Sequence, residues 1–248
     1  MASTSETGHA KNAANFDTLI TCAIGYGATY NPSKPTLLLP ALQSQSAEAK
    51  NAVRAVNATL PAYTQAVADR EVAFAPLNKL TTRILNALKA TDTSPQVIES
   101  AKALVNKLQG KRTTPKKTEE EKAALLADGK ATKEISTSQM SYDSRLDNFD
   151  KLVQLLSSAP LYTPNETDLQ ITSIQALYAD LSAKNAAVIT ATIPLSNARI
   201  TRNDVLYKPN AGLVDIAMDV KTYIKSVFGA SSPQYKQVSA LAFKSIPE

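Results

Sequence analysis

Asn15-Phe16-Asp17-Thr18-Leu19 returns as Asn148-Phe149-Asp150-Lys151-Leu152, 133 residues further on (148 − 15). Ala58-Thr59-Leu60-Pro61 returns as Ala191-Thr192-Ile193-Pro194, and Glu71-Val72-Ala73-Phe74-Ala75-Pro76 as Asp204-Val205-Leu206-Tyr207-Lys208-Pro209, both at the same displacement. Each fragment is made of common residues and means little alone. Agreement on one displacement, in one order, with a proline in the same place, predicts a tandem duplication.

The stretches around these fragments read as helix. Phe16, Leu19, Ile20 and Ile24 share one helical face, in a helix expected from about Ala14 to Gly25-Tyr26-Gly27, where glycine supplies a left-handed cap. Tyr30-Asn31-Pro32-Ser33-Lys34-Pro35 is a rigid connector, because its prolines fix φ and disfavour helix in the preceding residue. Val53, Val56, Leu60, Tyr63 and Val67 then form a seam spaced by three and four, on a helix expected from about Ala41 to Phe74. Pro61 stands inside it and should kink or locally break it. Leu77, Leu80, Ile84 and Leu88 predict a further helix. Another starts at Ser94-Pro95, an N-cap followed by proline at the first helical position, and is closed by Gly110.

The second copy repeats this order. Leu146, Phe149, Leu152, Val153 and Leu156 predict a short helix, and Tyr162-Thr163-Pro164-Asn165 a connector like the first. A long helix is expected from near Glu166, with Ile174, Leu177, Leu181 and Val188 on its inner face. Its seam is expected to continue through Ile189, Ile193 and Ile200, with Pro194 kinking it where Pro61 kinks the first. Gly229 should close the helix after Pro209, and Ser232-Pro233-Gln234 mirrors Ser94-Pro95-Gln96.

Composition agrees with helix and narrows the chemistry. The 248 residues include seven Gly and no Trp. The net charge of +5 is spread thinly, with 10 Lys+Arg against 7 Asp+Glu in residues 1–110, 7 against 5 in 111–140, and 10 against 10 in 141–248. A nucleic-acid module concentrates its excess and adds a reading motif, and neither is present. Cys22 is the only cysteine, which excludes an intramolecular disulfide and a Cys-rich zinc site, and His9, the only histidine, falls in the expected N-terminal tail, so neither a Ser-His-Asp or Cys-His arrangement nor a His-based metal site is expected. Phosphate loops and the nucleophile elbow are missing. The polar N-terminus and the short apolar run at Leu37-Leu38-Leu39 show no signal peptide or membrane span, so the expectation is a cytoplasmic protein.

A few residues invite a functional reading. Asp143, Asp147 and Asp150 share a helix face, and Asp215 and Asp219 make a second i, i+4 pair; solvated faces explain both better than metal binding. Arg70 and Arg202, with Glu71 and Asp204, lie near the ends of the long helices and could pair across an interface between the copies. Lys111-Arg112-Thr113-Thr114-Pro115-Lys116-Lys117 could meet an anionic surface or nucleic acid, but has no interleaved aromatics to stack bases. The sharpest local feature is the C-terminal Phe228-Gly229-Ala230-Ser231-Ser232-Pro233-Gln234-Tyr235-Lys236, whose Phe228, Ser232, Pro233, Tyr235 and Lys236 are the candidate interaction residues. With Asn31-Pro32-Ser33-Lys34 near the start, this tail resembles a family of all-helical bacterial proteins. That resemblance implies a helical fold and carries no activity, cofactor or catalytic residue.

The sequence therefore predicts an all-α protein: residues 1–13 a mobile tail, 14–110 a first helical repeat, 111–140 a charged linker and 141–248 a second repeat. The repeats are expected to pack as one elongated bundle, with two separate bundles as the alternative. The expected function is a non-enzymatic interaction or structural protein, self-associating or bound to a protein partner. Binding of nucleic acid or an anionic surface through the basic first half and linker is the alternative. No cofactor or metal is expected.

Overall fold

The computed structural model describes residues 7–111, 126 and 140–245, and among these the chain is helical with no strand. Helix α1 spans Thr7–Gly25, α2 Leu39–Phe74, α3 Leu77–Lys89, α4 Pro95–Leu108, α5 Tyr142–Ser157, α6 Ile171–Tyr207, α7 Leu213–Phe228 and α8 Pro233–Ser239. Short 3-10 turns at Pro35–Leu37 and Thr167–Leu169 lead into the two long helices.

Local chemistry explains most of the boundaries. Gly27 follows α1 at φ +59°, Gly110 follows α4 at +67° and Gly229 ends α7 at +86°, a region that β-carbons disfavour. The Lys111 N–H returns to the Asn106 carbonyl at 2.8 Å across Gly110, closing α4 with a Schellman-type bond. Ser141 caps α5 by accepting from the Ser144 N–H at 3.2 Å, and Ser232 caps α8 by accepting from the Tyr235 N–H at 3.1 Å. Ser94 occupies the N-cap of α4 without a side-chain cap bond. Neither long helix is interrupted at its proline: α2 runs 36 residues with Pro61 inside, and α6 runs 37 with Pro194 inside.

Two expectations about the chain ends and seams are corrected. Residues from Thr7 onward belong to α1 and not to a tail, with His9 and Asn12 6% and 2% exposed. The reason is tertiary: Asn12 donates to the Lys244 carbonyl at 2.8 Å, and His9 Nδ1 lies 2.7 Å from the Tyr207 hydroxyl, partners no local pattern reveals. In α6 the seam does not pass through Ile189, Ile193 and Ile200, which are 57%, 58% and 56% exposed. It continues in sevens from Ile174, Leu181 and Val188 to Leu195 and Arg202, all buried. One residue of slip turns a helix position by about 100°, enough to move Ile189 off the face that holds Val188.

The chain forms two compact units, Met1–Thr64 with Thr190–Glu248, and Gln65–Ile189. Neither coincides with residues 14–110 or 141–248, because each long helix begins in one unit and ends in the other. In the first unit Phe16, Leu19, Ile20 and Ala23 of α1 pack with Leu213, Ala217, Val220 and Ile224 of α7. In the second, Phe149, Leu152, Val153 and Leu156 of α5 pack with Leu77, Ile84 and Leu88 of α3 and Ala101, Val105 and Leu108 of α4. Amphipathic helices of this size gain their stability from such burial.

Candidate functional site

The C-terminal candidates are engaged within the first unit. Phe228 packs against Tyr26 with ring centroids 5.0 Å apart, and the Tyr26 hydroxyl donates to the Gln234 carbonyl at 3.0 Å. Burial, with Cys22 close by, pushes the Tyr26 phenol pKa up. Ser232 is the α8 cap and Pro233 its exposed first residue. Lys225 Nζ stands 5.7 Å from the centroid of the Tyr235 ring, while Lys236 is exposed in the last turn of α8. This group holds α8 to α1 and α7 and presents Lys236 and Pro233 outward.

Beyond α8 the chain continues without helix. Asn12 donates to the Lys244 carbonyl and accepts from the Lys244 N–H at 3.2 Å, Asn15 donates to the Ala242 carbonyl at 2.7 Å, and Lys221 donates to the Leu241 carbonyl. Leu241 and Phe243 turn inward on alternate positions. Burial lowers the Lys221 pKa. Sequence reading gave no sign of these contacts, because Asn12 and Asn15 lie more than two hundred residues before the backbone groups they reach.

The acidic residues hold local partners. Asp143 accepts from Asn185 at 2.7 Å, Asp147 pairs with Lys151 at 2.5 Å and Asp150 accepts from Gln154 at 3.3 Å. Asp215 accepts from the Asn210 N–H at 2.8 Å, and Asp219 pairs with Lys34 at 2.5 Å. Among the described residues no group of three or more His, Cys, Asp or Glu is placed to hold a metal ion.

Arg70 and Arg202 have different surroundings. Arg70 donates to Asn185 at 3.1 Å and lies 3.9 Å over the Tyr142 ring, a ring that meets Phe74 edge-on at 4.9 Å. Arg202, 3% exposed, donates to Asn203 through Nε and Nη2. Glu71 and Asp204 are exposed. Of the basic 111–117 stretch only Lys111 lies within the described residues, so the anionic-surface reading gains no structural support.

The surface feature that sequence reading placed inside is on α6. In the first unit Ile193 and Ile200 are exposed one heptad apart, beside a groove of about 360 Å³ lined by Tyr63, Thr192, Leu195, Ser196, Arg199 and Ile200. They form one apolar stripe with the Arg199 cation at its edge. Among the described residues no helix is long and apolar enough to cross a membrane. No family model, curated protein or solved structure matches the chain.

Proposed function

We propose that this chain is a non-enzymatic helical interaction protein of the cytoplasm, built by tandem duplication and self-associating through the exposed face of α6. The observation that carries the interaction reading is the exposure of Ile193 and Ile200 at 58% and 56%, in a helix whose inner face is already filled. Apolar groups left in water at regular helical spacing lower the free energy when a partner helix covers them.

The duplication is supported by equivalent details in the two units. The Tyr30 hydroxyl donates to the Leu37 carbonyl at 2.8 Å, and the Tyr162 hydroxyl to the Leu169 carbonyl at 2.9 Å. Ring pairs recur at the repeat displacement: His9 with Tyr207, and Tyr142 with Phe74 (142 − 9 and 207 − 74 are both 133). Pro61 and Pro194 are read as kinks in equivalent helices, and the resemblance to the helical bacterial family belongs to the same proposal.

Light scattering on the purified full chain tests the interaction reading. The expected result is a dimer or larger species, with Ile193→Asp/Ile200→Asp running as a folded monomer. A monomeric wild type that captures no protein partner would overturn it.

A further inference from the structure

The two units share one docking arrangement with the charges reversed. In the first unit the turn Pro35–Leu37 packs on α7, and in the second the turn Thr167–Leu169 packs on α3. The faces of α3 and α7 correspond residue for residue: Leu77 with Leu213, Thr81 with Ala217, Ile84 with Val220 and Leu88 with Ile224, none more than 1% exposed. On that register (213 − 77 = 136) Arg83 falls on Asp219 (219 − 83 = 136). The connectors are reversed to match. Lys34 stands directly before the first turn, Glu166 in the same place before the second, and Asp168 within it.

Four of these charges form two ion pairs, and Glu166 adds its negative charge to the surroundings of Arg83. Lys34 Nζ lies 2.5 Å from Asp219 Oδ2, and Arg83 binds Asp168 through both terminal nitrogens, Nη2 to Oδ1 at 3.2 Å. Each pair also joins one half of the chain to the other, Lys34 to Asp219 and Asp168 to Arg83. Pairing within a half would set Lys34 against Arg83, and Glu166 with Asp168 against Asp219.

We propose that Lys34, Arg83, Glu166, Asp168 and Asp219 form a pairing code that directs each connector to the helix face of the opposite half. The inference rests on the duplication reading. Because the apolar positions of the two faces match, burial alone separates the two pairings poorly, being non-directional. Charge separates them by sign. Each exposed pair is weak by itself, but a change of pairing turns attraction into repulsion at both faces at once, and specificity is that difference. The alternative requires α2 and α6 to reverse mid-length. The unit boundaries after Thr64 and Ile189 lie close to Pro61 and Pro194, where each helix lacks one backbone hydrogen bond. Duplicated and dimeric folds can exchange elements, and these are the points where the long helices hold fewest bonds, so a code against the wrong exchange has a definite competitor to exclude.

The test uses the full chain. Carbodiimide, which couples amines to adjacent carboxylates, should join Lys34 to Asp219 in the wild type. The face-swapped variant Arg83→Asp/Asp219→Lys should melt roughly 3–6 °C lower at low salt, with the difference shrinking as salt is added. Adding Lys34→Glu, Glu166→Lys and Asp168→Lys reverses every charge and should restore the wild-type midpoint. An unchanged midpoint in the face-swapped chain, or no recovery on full reversal, overturns the code; should the face-swapped chain not fold, full reversal still decides. A third chain separates the two readings. In the face-swapped background, residues 30–38 and 162–170 are exchanged whole, which matches charges again while testing shape. Recovery by point reversal with failure of this exchange would reject duplication and leave the code standing.

Discussion

Tyr30 and Tyr162 show how one side chain ties a connector to its unit. Each is nearly buried, at 6% and 4% exposed, and each donates its hydroxyl to a carbonyl seven residues ahead. Burial pushes both phenols up to about 12, helped at Tyr30 by Tyr223 and at Tyr162 by Glu166 and then Asp168. A folded pKa above the unfolded value near 10 means that the folded state holds the proton longer. The stabilisation is therefore complete below pH 10 and is lost as pH rises towards 12, on the order of 2 kcal/mol per tyrosine. Urea denaturation at pH 8 and pH 11 should show this loss. Tyr30→Phe/Tyr162→Phe should be less stable at pH 8 by about 1 kcal/mol for each lost hydrogen bond, and should lose the alkaline dependence. A second residue-scale case is Asn12, 2% exposed and bonded to Tyr207 and to both backbone groups of Lys244. Asn12→Ala should cost about 1–3 kcal/mol, read from the urea midpoint, and should raise amide exchange at Lys244.

Among the elements, the long helices and the turn before α7 carry the clearest expectations. Pro61 and Pro194 are exposed within continuous helices, so their rings contribute little packing while each removes a helix hydrogen bond. Pro61→Ala should raise stability by roughly 1–3 kcal/mol by thermal or urea unfolding. An unchanged or lower midpoint would mean that packing around Pro61 offsets the hydrogen bond the proline removes. Gly212 is constrained by space and not by φ: an added β-carbon would lie 2.6 Å from the Lys208 nitrogen and 2.8 Å from the Leu206 carbonyl oxygen. Gly212→Ala should therefore destabilise by about 2 kcal/mol or more, because both obstacles are backbone. The helices themselves were legible because periodic apolar residues, prolines and glycines act locally. The α6 seam was misplaced beyond Val188 because Ile189, Ile193 and Ile200 satisfy helical spacing as well as Leu195 and Arg202 do. Hydrophobicity favoured the isoleucines, and the buried Arg202 carried no local sign of burial.

At the scale of the whole molecule, the sequence by itself determined, for the described residues, the helical class, the order of helices and connectors, and the glycine ends at Gly27, Gly110 and Gly229. These depend on interactions within a few residues. It also carried the matching fragments from which duplication is inferred. Only the tertiary structure decided what each helix packs against: α1 meets α7, α5 meets α4, and the connectors dock on α7 and α3. Apolar faces of similar shape accept one another without preference, so no local pattern states which partner covers which face. The C-terminal candidates illustrate the same limit. Phe228 and Tyr235 stand out in the sequence as candidate interaction residues, and they pack onto Tyr26 and beside Lys225, while the isoleucines expected inside face water. Partner choice emerges only when opposed charges such as Lys34 with Asp219 and Arg83 with Asp168 are brought together, because electrostatic complementarity has a sign and burial does not.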